Sequence, residues 1–464
     1  RSQSPIPNPH RVKVKFNATT NGGTLSGTSP LYVQYGSGTL YTTAEGTATS
    51  SIPTASKTGN TWNGWYTASS GGTLVANTTP ALTGTEVDGW SNASKQWVPT
   101  VTTDKTLYAQ FTTNTVSIVI KKATTNWSNS GMNVALYTGT TSTYAYSTAT
   151  VNGATVTFSS VAAGTYNLYA SKYSGAKTTL VDTGTDVVVT TTGSGTVTYY
   201  ELTRSVGTGT TLTTKLDSSS GTSFDSTIQV LSGTTIYAST SLSTGYTGTL
   251  TLKHGNTSLT PTTGATFTAN ASEAITSGGA TAASYNITYK DCGNTTFSGT
   301  HANGYPTTYT YGTGATLDSP TKTGYTFGGY YTASACTGTA VTTIGTTETG
   351  AKTYYAKWNS NIATIYIKEN GSNASTTGYS ISLSSSSTTD TAPTGYTSNT
   401  TTSSGASVAF SAVPNGTYYI WAGKSSQAKT TRLYSGVTIT INNNSSSATI
   451  NYYGLTLQID GCKS

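Results

Sequence analysis

The chain has 464 residues, a formal net charge of +7 and only 8% charged side chains, against roughly 25% in an ordinary globular protein. That length exceeds a single hydrophobic core and suits four or five domains of about 100 residues. The cations are dispersed, with no basic run longer than Lys121-Lys122, so the clustered charge of a nucleic-acid surface is missing, and no stretch of about 18 apolar residues is available to span a membrane.

No long window places apolar residues at helical spacing, whereas alternating apolar and polar residues recur, as in Arg11-Val-Lys-Val-Lys-Phe16, Val116-Ser-Ile-Val-Ile120 and Ala363-Thr-Ile-Tyr-Ile-Lys368. Threonine, valine, isoleucine and tyrosine suit a pleated, half-buried surface. The pattern predicts an all-β chain.

In chain order, residues 1–10 come first, starting at Arg1 without a signal peptide, as in a processed mature chain or a fragment of a longer one. Their Ser4-Pro-Ile-Pro-Asn-Pro9 reads as a polyproline-like arm or linker. Residues 11–113 hold a strand, a Tyr35-Gly-Ser-Gly38 turn, the segment Lys57-Thr-Gly-Asn-Thr-Trp-Asn-Gly-Trp-Tyr-Thr-Ala-Ser69 and a closing strand Thr106–Phe111. Trp62 and Trp65 sit in one strand region, so at least one of them is expected to plug a small core. Residues 114–203 open with the strand Ile118–Lys122, continue through Ala163-Gly-Thr-Tyr-Asn-Leu-Tyr-Ala and close on Thr196–Tyr200. Residues 204–283 read as a divergent relative of the first module.

Residues 284–358 repeat the first module. They carry Tyr311-Gly-Thr-Gly314, then Lys322-Thr-Gly-Tyr-Thr-Phe-Gly-Gly-Tyr-Tyr-Thr-Ala-Ser334 and Thr353–Trp358, with Tyr325, Phe327 and Tyr330 as the core motif. Residues 359–454 repeat the second, from Ile365–Glu369 through Asn415-Gly-Thr-Tyr-Tyr-Ile-Trp-Ala to Ala448–Tyr453. Internal repetition of this kind marks a tandem array. Residues 455–464 fall outside that last module. Leu455, Leu457 and Ile459 alternate like the strand that opens 204–283. They are either the first strand of a next module or a donor strand for a neighbouring subunit.

The order strand, Tyr-Gly turn, Gly-x-x-Phe-x-Gly-x-Tyr and closing Leu-Tyr-Ala or Tyr-Tyr-Ala strand resembles the internalin-type B repeat, or Listeria–Bacteroides repeat, over 11–113 and 284–358. The first copy departs from it at Asn60 and by an insertion near Glu86–Val98, and the second at Tyr330. The Gly-Thr-Tyr modules resemble prealbumin-like and collagen-adhesin B-type sandwich domains. The resemblance implies β-grasp-like repeats and Ig/prealbumin-like sandwiches, as in bacterial surface proteins, and the very short linkers between modules favour a stiff rod. Collagen-adhesin domains often carry a Lys–Asn isopeptide bond assisted by a glutamate. Lys121, Lys122, Lys368 and Asn451 are present, but alanine or glycine stands at the glutamate position, so no such bond is expected.

Three cysteines allow one pair and one leftover. Cys292 and Cys336 fall in one module whose first copy has neither, which suggests a local staple worth about 3–4 kcal/mol. Cys462 is then the candidate for an intermolecular bond. His10, His254 and His301 are far apart in sequence and read as surface histidines. The carboxylates form no facing pair or dense cluster, so no catalytic residues, metal ligands or cofactor are assigned. Sequons such as Asn17, Asn126, Asn256, Asn294 and Asn373, with abundant hydroxyls, permit glycosylation. The sequence therefore points to a secreted, non-enzymatic cell-surface protein, a filament or stalk subunit whose main partner is itself. The alternative is an adhesin that binds glycans or a host protein through aromatic faces.

Overall fold

The computed structural model describes residues 10–34, 39–76, 103–139, 144–148, 151–375, 377–456 and 458, with strand assignments at 90–91 and 98–99. It is all-β, as the alternation predicts. Among the described residues the one helical element is a 3-10 turn at Thr19–Asn21. The chain divides into two compact units, residues 1–241 with 250–279, and residues 242–249 with 280–464.

In the first unit, strand Arg11–Asn17 buries Val12, Val14 and Phe16 and turns Lys13 and Lys15 to solvent. Its start pairs antiparallel with Leu31–Gln34, and its end pairs parallel with Lys105–Thr113. Lys105–Thr113 pairs on its far side with Asn60–Tyr66, which is followed by Leu74–Ala76. A bulge at Asn63 breaks the alternation: Trp62 faces Phe111 while Gly64 faces Gln110. One extra residue puts side chains three apart on the same face. Trp62 and Trp65 therefore share the core side, edge to face at 5.7 Å. Gly64 takes φ +127°, and a Cβ there would meet the Ala76 carbonyl oxygen at 2.6 Å, so the bulge requires glycine.

Residues from Thr115 to Tyr200 form two facing sheets. Thr115–Lys122 lies between Thr155–Ser159 and Thr192–Val206, and across the core stand Val134–Tyr137, Tyr144–Thr148, Gly164–Ser171 and Leu180–Val189. Ile118, Ile120, Leu136, Leu168 and Val187 fill the space between them. The tyrosine of Gly-Thr-Tyr, Tyr166, plugs this core and donates its hydroxyl back to the Ala162 carbonyl at 2.8 Å.

Strand Thr192–Val206 does not stop at the end of the sandwich. It is 15 residues long and runs on as the first strand of the following segment. There it pairs antiparallel with Ile228–Leu231 at its start and parallel with Glu273–Gly278 further along. Glu273–Gly278 pairs in turn with Thr251–His254, and that with Thr257–Leu259. The strand order is that of residues 11–113, although the two sequences share almost no motif. A separate three-stranded sheet, Thr210–Leu216, Thr235–Leu242 and Ala265–Thr268, closes its core around Leu202, Ile236 and Phe267.

The second unit repeats the first two architectures. Ser284–Asp291 pairs with Thr308–Thr310 and, in parallel, with Lys352–Ser360, which pairs with Tyr325–Tyr331. The same bulge recurs, between Phe327 and Tyr330. This core is smaller and more aromatic, built from Ile287, Tyr309, Leu317, Tyr330, Ile344 and Tyr354. Ala363–Glu369, Ser407–Phe410 and Ser446–Tyr452 then face Ser380–Ser384, Thr400–Thr402, Gly416–Gly423 and Arg432–Ile441 in the second sandwich. Tyr418 again donates four residues back, to the Pro414 carbonyl at 2.7 Å.

Candidate functional site: module joints and polar clusters

The two core motifs satisfy their polar atoms differently. Trp65 is fully buried, and its Nε1–H donates to the Pro53 carbonyl at 2.6 Å. Tyr330, at the matching position, donates its hydroxyl to Asp318 at 3.0 Å, and Asp318 stands where Pro53 stands in the first copy. His301 Nδ1 lies 3.0 Å from the same carboxylate, and its ring is stacked between Phe297 and Tyr305. Burial first, then the Asp318 carboxylate, pushes the Tyr330 hydroxyl pKa well above its ordinary range. His254 Nδ1 sits 2.7 Å from Glu273, its ring stacked on Phe267.

These two histidines are therefore not the surface histidines expected from the sequence. Each is half-buried against a carboxylate 17 or 19 residues away, His254 brought there by the pairing of Thr251–His254 with Glu273–Gly278 and His301 by the single bridge between Thr300 and Thr321. Each ring is covered by aromatic side chains, and no serine, cysteine or threonine nucleophile is hydrogen-bonded to it among the described residues. The described residues hold no group of three or more histidine, cysteine, aspartate or glutamate side chains fit for a metal.

Cys292 and Cys336 are joined by a disulfide, with Cα atoms 5.6 Å apart across 44 positions. It ties the turn after Ser284–Asp291 to the turn after Tyr325–Tyr331. Cys462, Leu457 and Ile459 lie outside the described residues. Leu455 is 97% exposed and in no strand. Tyr325 and Phe327 are half-buried, with Phe327 packed edge-on against Tyr330 at 4.9 Å.

A second constellation, which sequence reasoning missed, joins each repeat to the sandwich that follows. Asn114 is 1% exposed. Its N–H donates to the Gly59 carbonyl at 3.0 Å and its Nδ2 to the Val161 carbonyl at 3.0 Å. Its Oδ1 accepts from the Thr61 hydroxyl at 2.7 Å, and its carbonyl accepts from Val161 N–H at 3.3 Å. Asn361 repeats the arrangement. It is 2% exposed and bonded to the Gly324 carbonyl, the Val413 carbonyl, the Val413 N–H and the Thr326 hydroxyl. A buried amide with donor and acceptor both used is directional, so it fixes how two packed elements meet.

Asn361→Ala strands the Thr326 hydroxyl and the Val413 carbonyl at that joint. A loss of about 1–3 kcal/mol in denaturant unfolding is expected, with faster hydrogen exchange at the backbone amides of position 361 and Val413 while the amides of Ile420 and Tyr354 stay protected. Uniformly faster exchange throughout both cores would show that the residue stabilises the modules rather than their joint.

Comparison with known proteins adds a family for part of the chain. Residues 13–87 and 285–357 match the Listeria-Bacteroides repeat domain. No curated protein matches the chain. Among solved structures, the chain is similar to BcpA, the major pilin subunit of Bacillus cereus, at 11% identity over 73% of this chain and 98% of that one, with a TM-score of 0.19. It is similar to the Bacillus anthracis TIE protein at 8% identity over 75% of this chain, TM-score 0.16, and spans about half of that protein, 52%. Two B repeat units of the Staphylococcus aureus collagen binding protein align at 11% identity over 73% of this chain and 99% of that one, TM-score 0.12. Superpositions this poor add nothing to the strand pairings already described. The matched segments lie in the two modules that share the bulged aromatic strand and the parallel pairing of first and last strands, the match at 13–87 ending before the closing strand Lys105–Thr113: both segments, less than half of the chain together, match the Listeria-Bacteroides repeat domain.

Proposed function

We propose that the chain is a structural subunit of an extracellular microbial filament or surface stalk, built of five β-modules and assembling end to end. The observation that carries this reading is the way successive modules meet. Repeat and sandwich are clamped by a buried asparagine in both copies. The first sandwich passes into the next module through one unbroken strand, Thr192–Val206. A chain that only displayed independent binding modules would have no need of joints without slack. The intramodular disulfide suits an oxidising compartment outside the cell. The binding-face alternative draws less support, because the ring-bearing residues Trp65, Tyr199, Tyr330 and Tyr379 are buried in cores, and the exposed Tyr305, Tyr366 and Tyr453 lie in different segments of the chain.

Negative-stain electron microscopy of native material tests the reading. Continuous filaments or stalks of uniform width are expected. Monodisperse single particles at every concentration, together with specific retention on a glycan array, would replace it with the adhesin reading.

A further inference from the structure

We propose that the end of the second sandwich, formed by residues 424–426 and Tyr452–Leu455, is a docking groove for a repeat-type β-module, which lays an antiparallel strand of alternating aliphatic residues along it. The inference rests on the stalk reading and adds what this end takes.

The first sandwich shows the occupied form. Its Tyr199–Leu202 pairs antiparallel with Ile228–Leu231, Tyr199 opposite Leu231 and Leu202 opposite Ile228. The same incoming strand is also held by the neighbouring loop. Leu231 N–H donates to the Lys172 carbonyl at 2.9 Å, and Ser174 N–H donates to the Gln229 carbonyl at 2.9 Å. Lys172 Nζ meets Asp217 of the docked module at 2.5 Å. Leu202, Ile228 and Val230 are buried by this contact, and the Tyr199 hydroxyl donates to the Ser171 carbonyl at 2.8 Å.

The second sandwich keeps the backbone edge, the lysine and the leucine of this site, while Gly454 stands where Glu201 accepts from Gln229, Glu369 where Lys122 pairs with Glu201, and Ser425 where Tyr173 bridges to Val230. By the internal repeat, Tyr452, Tyr453 and Leu455 correspond to Tyr199, Tyr200 and Leu202, and Lys424 and Ser426 to Lys172 and Ser174. Among the described residues, Ser446–Tyr452 pairs only with Ala363–Glu369, and no strand lies along 424–426. A groove of about 530 Å³ runs there, lined by Tyr379, Lys424, Ser426, Tyr452, Tyr453 and Leu455. Leu455 is 97% exposed where Leu202 is 0% exposed, and the buried Tyr452 hydroxyl has no hydrogen-bond partner.

The occupant follows from the filled site. A strand of the Ile228-Gln-Val-Leu231 kind supplies aliphatic side chains to cover Leu455 and main-chain groups for the edge. A carboxylate placed like Asp217 meets Lys424. All three repeat-type segments take an antiparallel strand at the start of their first strand, from Leu31–Gln34, Ile228–Leu231 and Thr308–Thr310, and in the first two the buried side chains of that strand are aliphatic. Backbone hydrogen bonds supply the affinity and alternate side chains the fit, as in other strand additions.

The test replaces residues 454–464 by a second copy of residues 201–283, so that Leu202 of that copy takes the place of Leu455, and reads hydrogen exchange. Docking is expected to slow the amides of Ser426 and Tyr453 roughly 100-fold or more relative to the parent chain. Reversing the charge at Lys424 (K424E) should relax part of that protection, and D217K in the appended copy should restore it. Unchanged exchange at 424–426, while the appended module protects its own core strand at Ile236, would overturn the proposal.

A second arm guards against misfolding of the appended copy. A synthetic peptide of residues 222–233, added to the parent chain, should protect the same amides saturably, and a scrambled peptide should not. Absence of any effect at millimolar peptide also overturns it. Protection that grows with concentration of the parent chain and is not competed by the 222–233 peptide would overturn the assigned occupant. Filaments that persist after the groove is filled by peptide leave the stalk reading intact, so the two readings fail separately.

Discussion

Trp65→Ala is expected to cost residues 11–113 about 3–5 kcal/mol, and Trp62→Ala only about 1 kcal/mol. The two rings are three positions apart on the same face of the same strand, and burial separates them. Trp65 is 0% exposed and packs edge-on against Phe16 at 5.0 Å. Its indole N–H is bonded to the Pro53 carbonyl. Truncation leaves a cavity among Val14, Leu31 and Leu107 and strips that carbonyl of its donor. Trp62 is half-buried at the edge of the cluster, and its indole N–H has no partner, so its removal also deletes an unsatisfied donor.

For a small module whose whole stability is about 5–15 kcal/mol, the first substitution removes a large share. The predicted readout is early, separate unfolding of residues 11–113 in a denaturant titration followed by hydrogen exchange, with residues 284–454 unaffected. Equal losses from the two substitutions would mean that the bulge does not rank the two rings as described.

The strands were legible because their chemistry is local. Arg11–Phe16 and Ala363–Lys368 alternate, and alternation needs only one buried face to be read. The repeats were legible because the core motif must recur wherever the bulge does: Gly64 and Gly329 both hold positive φ, at +127° and +104°. The joints were not. Asn114 and Asn361 are single asparagines in a chain full of them, and their partners Val161 and Val413 lie about 50 positions away. One signal was available, since each asparagine stands three residues after a closing aromatic, Phe111 or Trp358. The His301–Asp318 and His254–Glu273 pairs carried no signal at all. Nothing local to a histidine says which strand will be folded against it.

The third repeat-type segment shows the reverse case. Its motif has faded, yet its strand order is kept, because the parallel pairing of first and last strands with antiparallel strands outside them can be filled by different side chains. The end of the first sandwich was read from its Tyr-Tyr closing strand. Thr192–Val206 passes through that point without a break, because a strand shared by two modules needs only a continued alternation, and composition does not change there.

Alkaline solution is expected to unfold the chain cooperatively between about pH 10 and 12, and the second unit ahead of the first. Ten described tyrosines have hydroxyl pKa values raised primarily by burial. Tyr166 and Tyr199 belong to the first unit; Tyr289, Tyr309, Tyr330, Tyr354, Tyr379, Tyr396, Tyr418 and Tyr452 belong to the second. Unfolded tyrosine ionises near pH 10. Above that value the folded chain still holds protons that the unfolded chain has released. The stabilisation is therefore complete below about pH 10 and is lost as pH climbs toward the folded values, by up to about 1.4 kcal/mol per pH unit for each proton so retained. The late part of tyrosinate absorbance should coincide with loss of the β circular dichroism signal.

Tyr396, pushed up to about 12 in the second sandwich, gives a sharp control. Its hydroxyl donates to the Ser411 carbonyl at 3.0 Å. Tyr396→Phe should lower stability at neutral pH by about 1 kcal/mol and flatten the decline above pH 10, because one proton no longer distinguishes the two states. A variant that loses stability at pH 7 and keeps the full alkaline slope would show that this ring ionises without unfolding, and that the core around Ile420 and Val413 is looser than its packing implies.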